Sequence, residues 1–171
     1  MLNLHRRSRS ESSLWTTLRE PTARYVFDFF YRQVSQKQVE PTAANMKHDF
    51  QTYTHNQHHS LNRLSTRGYS YNQSDPFLAA SEIIHDYDFI AIAERLDESL
   101  VVLSLLLDIP LGDVLHLDSK RSEGYDGEGG RGRCFFMVPT NLTAEMQSYL
   151  ETPQWKAHVL AERALYQAAR Y

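Results

Sequence analysis

Two short β-prone runs, each followed within a few residues by a helix start, constrain the fold of this chain most. Leu14-Trp15-Thr16-Thr17-Leu18 stops at Arg19-Glu20-Pro21. Proline suits the first turn of a helix, where its missing N–H has no intrahelical partner. Val26, Phe27, Phe30, Tyr31 and Val34 then recur at helical spacing, which predicts an amphipathic helix over 21–36. Farther on, Tyr87–Ala93 (Phe89, Ile90, Ile92) reads as the clearest strand. Asp97 reads as the N-cap of the next helix, which is apolar nearly all round and so belongs in a core. Strand then helix, repeated, is an α/β pattern. Two convincing strands, with 14–18 taken as buried, predict a helix-rich α/β fold with a small parallel sheet.

The remaining segments fill in around that frame. Residues 1–12 are polar and basic and read as a frayed, disordered tail, which leaves 13–171 as one domain. Residues 37–74 are rich in Asn, Gln, His and Thr and predict one or two helices. Asp75-Pro76 opens a helix running to about Asp86, and Thr152-Pro153 opens another that continues past Leu165. Val114–Leu117 reads as a short extended piece. Gly124–Arg133 holds five of the seven glycines and reads as a mobile loop.

Several function classes are excluded early. With 171 residues, one domain is the natural count. The longest apolar run, Leu100–Leu107, is interrupted by Ser104 and falls far short of the roughly 20 residues a membrane span needs. No apolar stretch follows the basic residues at the start, so no secretory signal is legible. The single Cys134 permits neither an internal disulfide nor a multi-cysteine zinc cage. Net charge is −3, but residues 75–113 alone carry nine acids against Arg95. A chain this acidic at its centre lacks the broad basic face of a duplex-binding domain, so nucleic acid is not an expected partner.

Some residues carry chemistry by position. Arg19 stands where a strand feeds a helix N-terminus, so its guanidinium would add to the unpaired N–H groups there and form a phosphate or sulfate site. The bland alternative is a surface arginine pairing with Glu20 or Asp28. Glu94 ends a strand at the edge where α/β sites form, and is a candidate for orienting an acceptor hydroxyl. It could equally pair with Arg95 or cap the following helix. The glycine-rich stretch, with Lys120, Arg121, Arg131 and Arg133 as donors, is a nucleotide-contacting loop on one reading and solvated on the other. It has no Gly-Lys-Ser/Thr ending. His55, His58 and His59, with His48 ahead of them, have zinc-compatible spacing but no acidic ligand nearby except Asp49, so a solvated helix face is the reading and no metal is expected. The Leu100–Leu107 stripe is read as core with no cofactor implied. Asn72-Gln-Ser74 and Asn141-Leu-Thr143 fit the glycosylation sequon.

The stretch Phe89-Ile-Ala-Ile-Ala-Glu94-Arg95-Leu96-Asp97-Glu98-Ser99-Leu100-Val101-Val102-Leu103, followed by Asp113-Val-Leu-His-Leu117, resembles the C-terminal half of Golgi carbohydrate sulfotransferases, the galactose 3-O-sulfotransferases in particular. Leu18-Arg19-Glu20-Pro21-Thr-Ala-Arg24-Tyr25-Val26-Phe27 is similar to the 3′-phosphate-binding segment of the same superfamily. Trp155 and Ala164-Leu165-Tyr166 look like the end of that domain. The resemblance covers residues 13–170. It implies a P-loop-like sulfotransferase fold and transfer of a sulfuryl group from 3′-phosphoadenosine 5′-phosphosulfate (PAPS) to a glycan hydroxyl in the Golgi lumen. It puts Arg19, with Arg24 beside it, on the 3′-phosphate.

Two departures shape the expectation. The serine that should follow the arginine by eight positions is Phe27, which cannot donate a hydrogen bond. Only 18 residues precede Arg19, and they contain no glycine and no lysine for a phosphosulfate cradle. The chain therefore reads as a truncated back portion of the domain, inactive alone, with no catalytic residue assignable. If Met1 is the true start, a cytoplasmic location follows. The competing class is a non-enzymatic interaction or scaffold protein that retains the fold's helices and binds no nucleotide.

Overall fold

The computed structural model describes residues 8, 11–53, 61, 64, 76–114, 124–127 and 134–170. The chain divides into two compact units that alternate along the sequence: Met1–Pro21, Asn56–Leu115 and His158–Tyr171 form the first, Thr22–His55 and His116–Ala157 the second.

In the first unit, β1 (Trp15–Leu18) pairs in parallel with β2 (Phe89–Ile92), Trp15 opposite Phe89 and Leu18 opposite Ile92. The Asp88 carboxylate accepts from the Leu14 N–H at 2.7 Å, and the Asp88 N–H donates to the Leu14 carbonyl at 2.8 Å. Helix α3 (Pro76–Asp86) packs against the last helix, α7 (Leu160–Ala169). Leu18, Leu61, Ala80, Ile83, Ile92, Ala161, Leu165 and Tyr166 make the core. The sheet is a parallel pair among helices, the α/β arrangement the strand–helix alternation predicts.

Strand β1 is less buried than its apolar composition implies. Successive side chains on a strand point to opposite faces. Leu18 is buried, while Trp15 is 51% exposed and Thr17 is exposed as well. Between β2 and the next helix, a 3₁₀ turn (Ala93–Arg95) runs directly into α4 (Leu96–Leu107). Arg95 occupies the N-cap position, so Asp97 lies in the first turn and is not the cap. A second 3₁₀ turn covers Leu111–Val114, where an extended piece was expected to begin; 115–117 lie outside the described residues.

In the second unit, helix α1 (Pro21–Phe29, its proline belonging to the first unit) continues into a π-helical stretch, Phe30–Gln36. The predicted helix over 21–36 is thus continuous but changes its turn. The Ser35 hydroxyl donates to the Phe30 carbonyl five residues back at 2.8 Å and accepts from the Val138 N–H at 3.0 Å. Helix α2 (Ala43–Tyr53) starts where the Thr42 side chain accepts from the Asn45 N–H, and it buries Met46 and Phe50 one turn apart. Its third buried position is a carboxylate, Asp49, so the buried side of this helix is not apolar throughout. Helix α5 (Ala144–Leu150) is capped by Thr143. Helix α6 (Pro153–His158) begins with Thr152 accepting from the Trp155 N–H. Trp155 centres an aromatic cluster, stacked on Phe50 at 4.7 Å between centroids and edge-on to Tyr25 at 5.5 Å. The one C-terminal helix expected from Thr152 onward is two, because Val159 leaves helical geometry at ψ 4°.

The glycine-rich segment also departs from its loop reading. Its first residues form β3 (Tyr125–Gly127), antiparallel to β4 (Cys134–Phe136). Aromatic residues supply the reason. Tyr125 and Phe136 meet directly across the strands at 5.5 Å, Phe135 packs edge-on to Tyr31, and the Tyr31 hydroxyl donates to Asp126 at 2.7 Å.

Candidate functional site

The carboxyl edge of the β1/β2 pair is where an α/β fold presents ligands. Leu18 ends β1, Arg19 and Glu20 follow, and Pro21 opens α1, so Arg19 occupies the strand-to-helix junction with its side chain exposed. Glu94, just past β2, joins that junction. One of its carboxylate oxygens accepts from the Glu20 N–H at 2.9 Å, and the other accepts from the Tyr166 hydroxyl at 2.9 Å. It neither pairs with Arg95 nor caps α4. It ties the ends of both strands to α7.

The charges around it are mostly engaged. Arg95 pairs with Glu98, and the Arg163 guanidinium lies 3.6 Å from the Glu20 carboxylate. Burial, helped by the Glu94 carboxylate that holds its proton, pushes the Tyr166 phenol above its ordinary value near 10. The Arg170 guanidinium sits 5.7 Å over the same ring. Glu94 has its two oxygens in use as a clasp.

Of the other nominated positions, some belong to the second unit and the rest lie outside the described residues. Arg24, on α1 in the second unit, lies over the ring of Tyr25 at 4.8 Å. Phe27, at the family's serine position, stacks on Tyr31. With Phe30, Ser35, Met137, Val138 and Thr140, these two rings line a small, shallow recess. Lys120, Arg121, Arg131 and Arg133 lie outside the described residues, as do His55, His58, His59 and Asn72. His48 is exposed on α2. Among the described residues no group of three or more His, Cys, Asp or Glu is placed to hold a metal ion. No helix among them is long and apolar enough to cross a membrane. Neither a family model nor a curated protein nor a solved structure matches this chain.

The feature the sequence reading missed is α4. Far from sitting wholly in a core, it turns much of its apolar surface outward: Leu105 is 77% exposed, Leu106 59%, and Val101 and Val102 44% each. At 3.6 residues per turn these four cover an arc of about 140°. The inward side holds Leu103 with two serines. Ser99 accepts from the Ile92 N–H at 3.0 Å, closing the end of β2, and Ser104 donates to the Ile109 carbonyl at 2.7 Å. Those hydroxyls complete backbone hydrogen bonds at the strand's end and beyond the helix's end, and that requirement fixes which side of α4 faces the protein. The signal was in the sequence: two serines five residues apart are the only polar positions between Glu98 and Asp108.

Proposed function

We propose that this chain is a non-enzymatic interaction protein whose docking surface is the outward face of α4. The observation that carries this reading is the inversion of that helix, with serines inside and Val101, Val102, Leu105 and Leu106 outside. Exposed apolar residues scattered singly need no explanation, but a continuous helical stripe of four marks a surface built to be covered. The test places a photoactivatable amino acid at 105 in the full chain, in its own cells. A discrete covalent adduct supports the reading if it disappears on Leu106→Gln and is absent when the probe sits at the exposed Gln147 of α5. Absence of any adduct at 105 ends it.

A second reading, sulfuryl transfer to a glycan within a P-loop-like domain of the Golgi lumen, is favoured by one observation, the position of Arg19 between β1 and α1. The expected behaviour of the chain alone is no turnover of labelled sulfate donor and at best about millimolar affinity for adenosine 3′,5′-bisphosphate. A charge-assisted contact contributes about 1.5–3 kcal/mol, one to two decades of affinity. Titration of wild type and Arg19→Ala decides it. Micromolar binding lost in the variant favours the nucleotide reading; no binding, or binding the variant leaves unchanged, sinks the anion site at Arg19.

A further inference from the structure

We propose, resting on the reading of α4 as a docking face, that its occupant is a basic amphipathic helix of another protein. The apolar stripe specifies a helix-sized partner, and the charges at its two ends specify the sign. Between Leu96 and Val114 the sequence holds Asp97, Glu98, Asp108 and Asp113 and no Lys, Arg or His. All four are exposed. Glu98 is paired with Arg95, while among the described residues Asp97, Asp108 and Asp113 have no ion pair.

The helix itself accounts for only half of this acidity. Carboxylates in a first turn suit the positive end of the helix macrodipole, so Asp97 and Glu98 have a local reason to be there. Asp108 has the opposite situation. It caps the C-terminal end, where the dipole disfavours negative charge, in a left-handed conformation with φ 51°. Asparagine would meet that backbone demand equally well without the charge. The backbone at 108 thus admits Asp, but its charge stands against the helix dipole, an opposition that a cationic partner would relieve.

The same charges argue against the other occupants. A second copy packed antiparallel would set Asp97 and Glu98 of one chain against Asp108 and Asp113 of the other. A parallel copy would set each carboxylate against itself. Like charges brought together across an interface oppose association. The anionic surface of a membrane leaflet would be repelled in the same way. A helix with apolar residues at i, i+3, i+4 and i+7 and Lys or Arg near both ends of that stripe satisfies both the surface and its rim.

The probe is a labelled 18-residue amphipathic peptide with leucines on one face and lysines elsewhere, titrated against the full chain by fluorescence anisotropy. Its controls are a scrambled peptide of the same composition and a version with glutamate for lysine. Expected is binding at least tenfold tighter than to either control, and at least tenfold weaker when Leu105→Gln and Leu106→Gln are combined. The variant Asp97→Asn, Asp108→Asn, Asp113→Asn should weaken binding and flatten its salt dependence, with circular dichroism confirming that each variant is folded. Equal binding of the lysine and glutamate peptides, or binding indifferent to the three Asn substitutions, overturns the basic partner. Self-association, or adsorption to zwitterionic vesicles, that the paired leucine substitutions abolish also overturns it, but leaves α4 as the docking face. No binding to peptide, vesicle or itself overturns both.

Discussion

The inversion of α4 can be tested on the isolated chain by comparing two leucines two residues apart. Leu103 is 6% exposed and Leu105 77%. Full burial of a leucine side chain stabilises by about 1.5–3 kcal/mol, so the quarter of Leu105 that is covered contributes about 0.4–0.8 kcal/mol. Glutamine has nearly the same helix propensity as leucine, so Leu105→Gln should cost under about 1 kcal/mol. Leu103→Ala removes a buried side chain and leaves a cavity, and should cost about 2–5 kcal/mol. With a urea slope of about 2 kcal/mol/M, the first moves the unfolding midpoint by less than about 0.5 M and the second by 1 M or more. The assay is urea unfolding followed by circular dichroism at neutral pH. A midpoint shift for Leu105→Gln as large as that for Leu103→Ala would mean the outer face is already covered within the chain. The docking argument would then be lost.

Further tests probe the clasp and the second unit. The folded Tyr166 phenol titrates above the ordinary value near 10, so the unfolded chain releases that proton first. Stability from this group is complete below about pH 10 and is lost as pH rises through the folded value. Urea midpoints at pH 9 and 11 should therefore differ less in Tyr166→Phe than in wild type. Burial raises the Asp49 carboxyl above its ordinary value, against the hydrogen bond from Gln33 at 2.6 Å and the attraction of Arg32 and Lys37. Its contribution is fully present below about pH 3.8 and is lost as pH rises through the folded value. Asp49→Asn, which keeps an acceptor for Gln33, should raise thermal stability at pH 7 and leave it unchanged at pH 3. Trp155→Ala should cost about 3–5 kcal/mol, since the ring is buried against Phe50 and Tyr25; near-zero change in thermal unfolding would contradict that cluster.

Much of the fold was legible because it rests on local signals. Pro21, Pro76 and Thr152 punctuate helices whatever surrounds them, and Phe89–Ile92 is β-prone enough to declare itself. What misled was composition read without direction. The Leu100–Leu107 run looks buried by content, yet the backbone groups at Ile92 and Ile109 need Ser99 and Ser104, and that turns the apolar residues outward. Five glycines hid a strand because Tyr125 and Phe136 find each other only across the hairpin. At the candidate site, Arg19 could be placed from Leu18 and Pro21 alone. The partners of Glu94 could not, because Glu20 and Tyr166 lie 74 and 72 residues away in sequence.

The way the two units share the chain orders their birth. Chains emerge from the ribosome N-terminus first, at about 5–20 residues per second. All of the second unit's sequence precedes residue 158, whereas the core of the first unit takes Ala161, Leu165 and Tyr166 from the last helix. The unit that contributes β1, the earlier strand, is thus completed after the other. Until α7 is made, Leu18, Ile83 and Ile92 are without the side chains that bury them, and α4 is held by a nascent scaffold alone. A stop codon at any position from 158 to 160 would leave the second unit its full sequence and deny the first its closing helix.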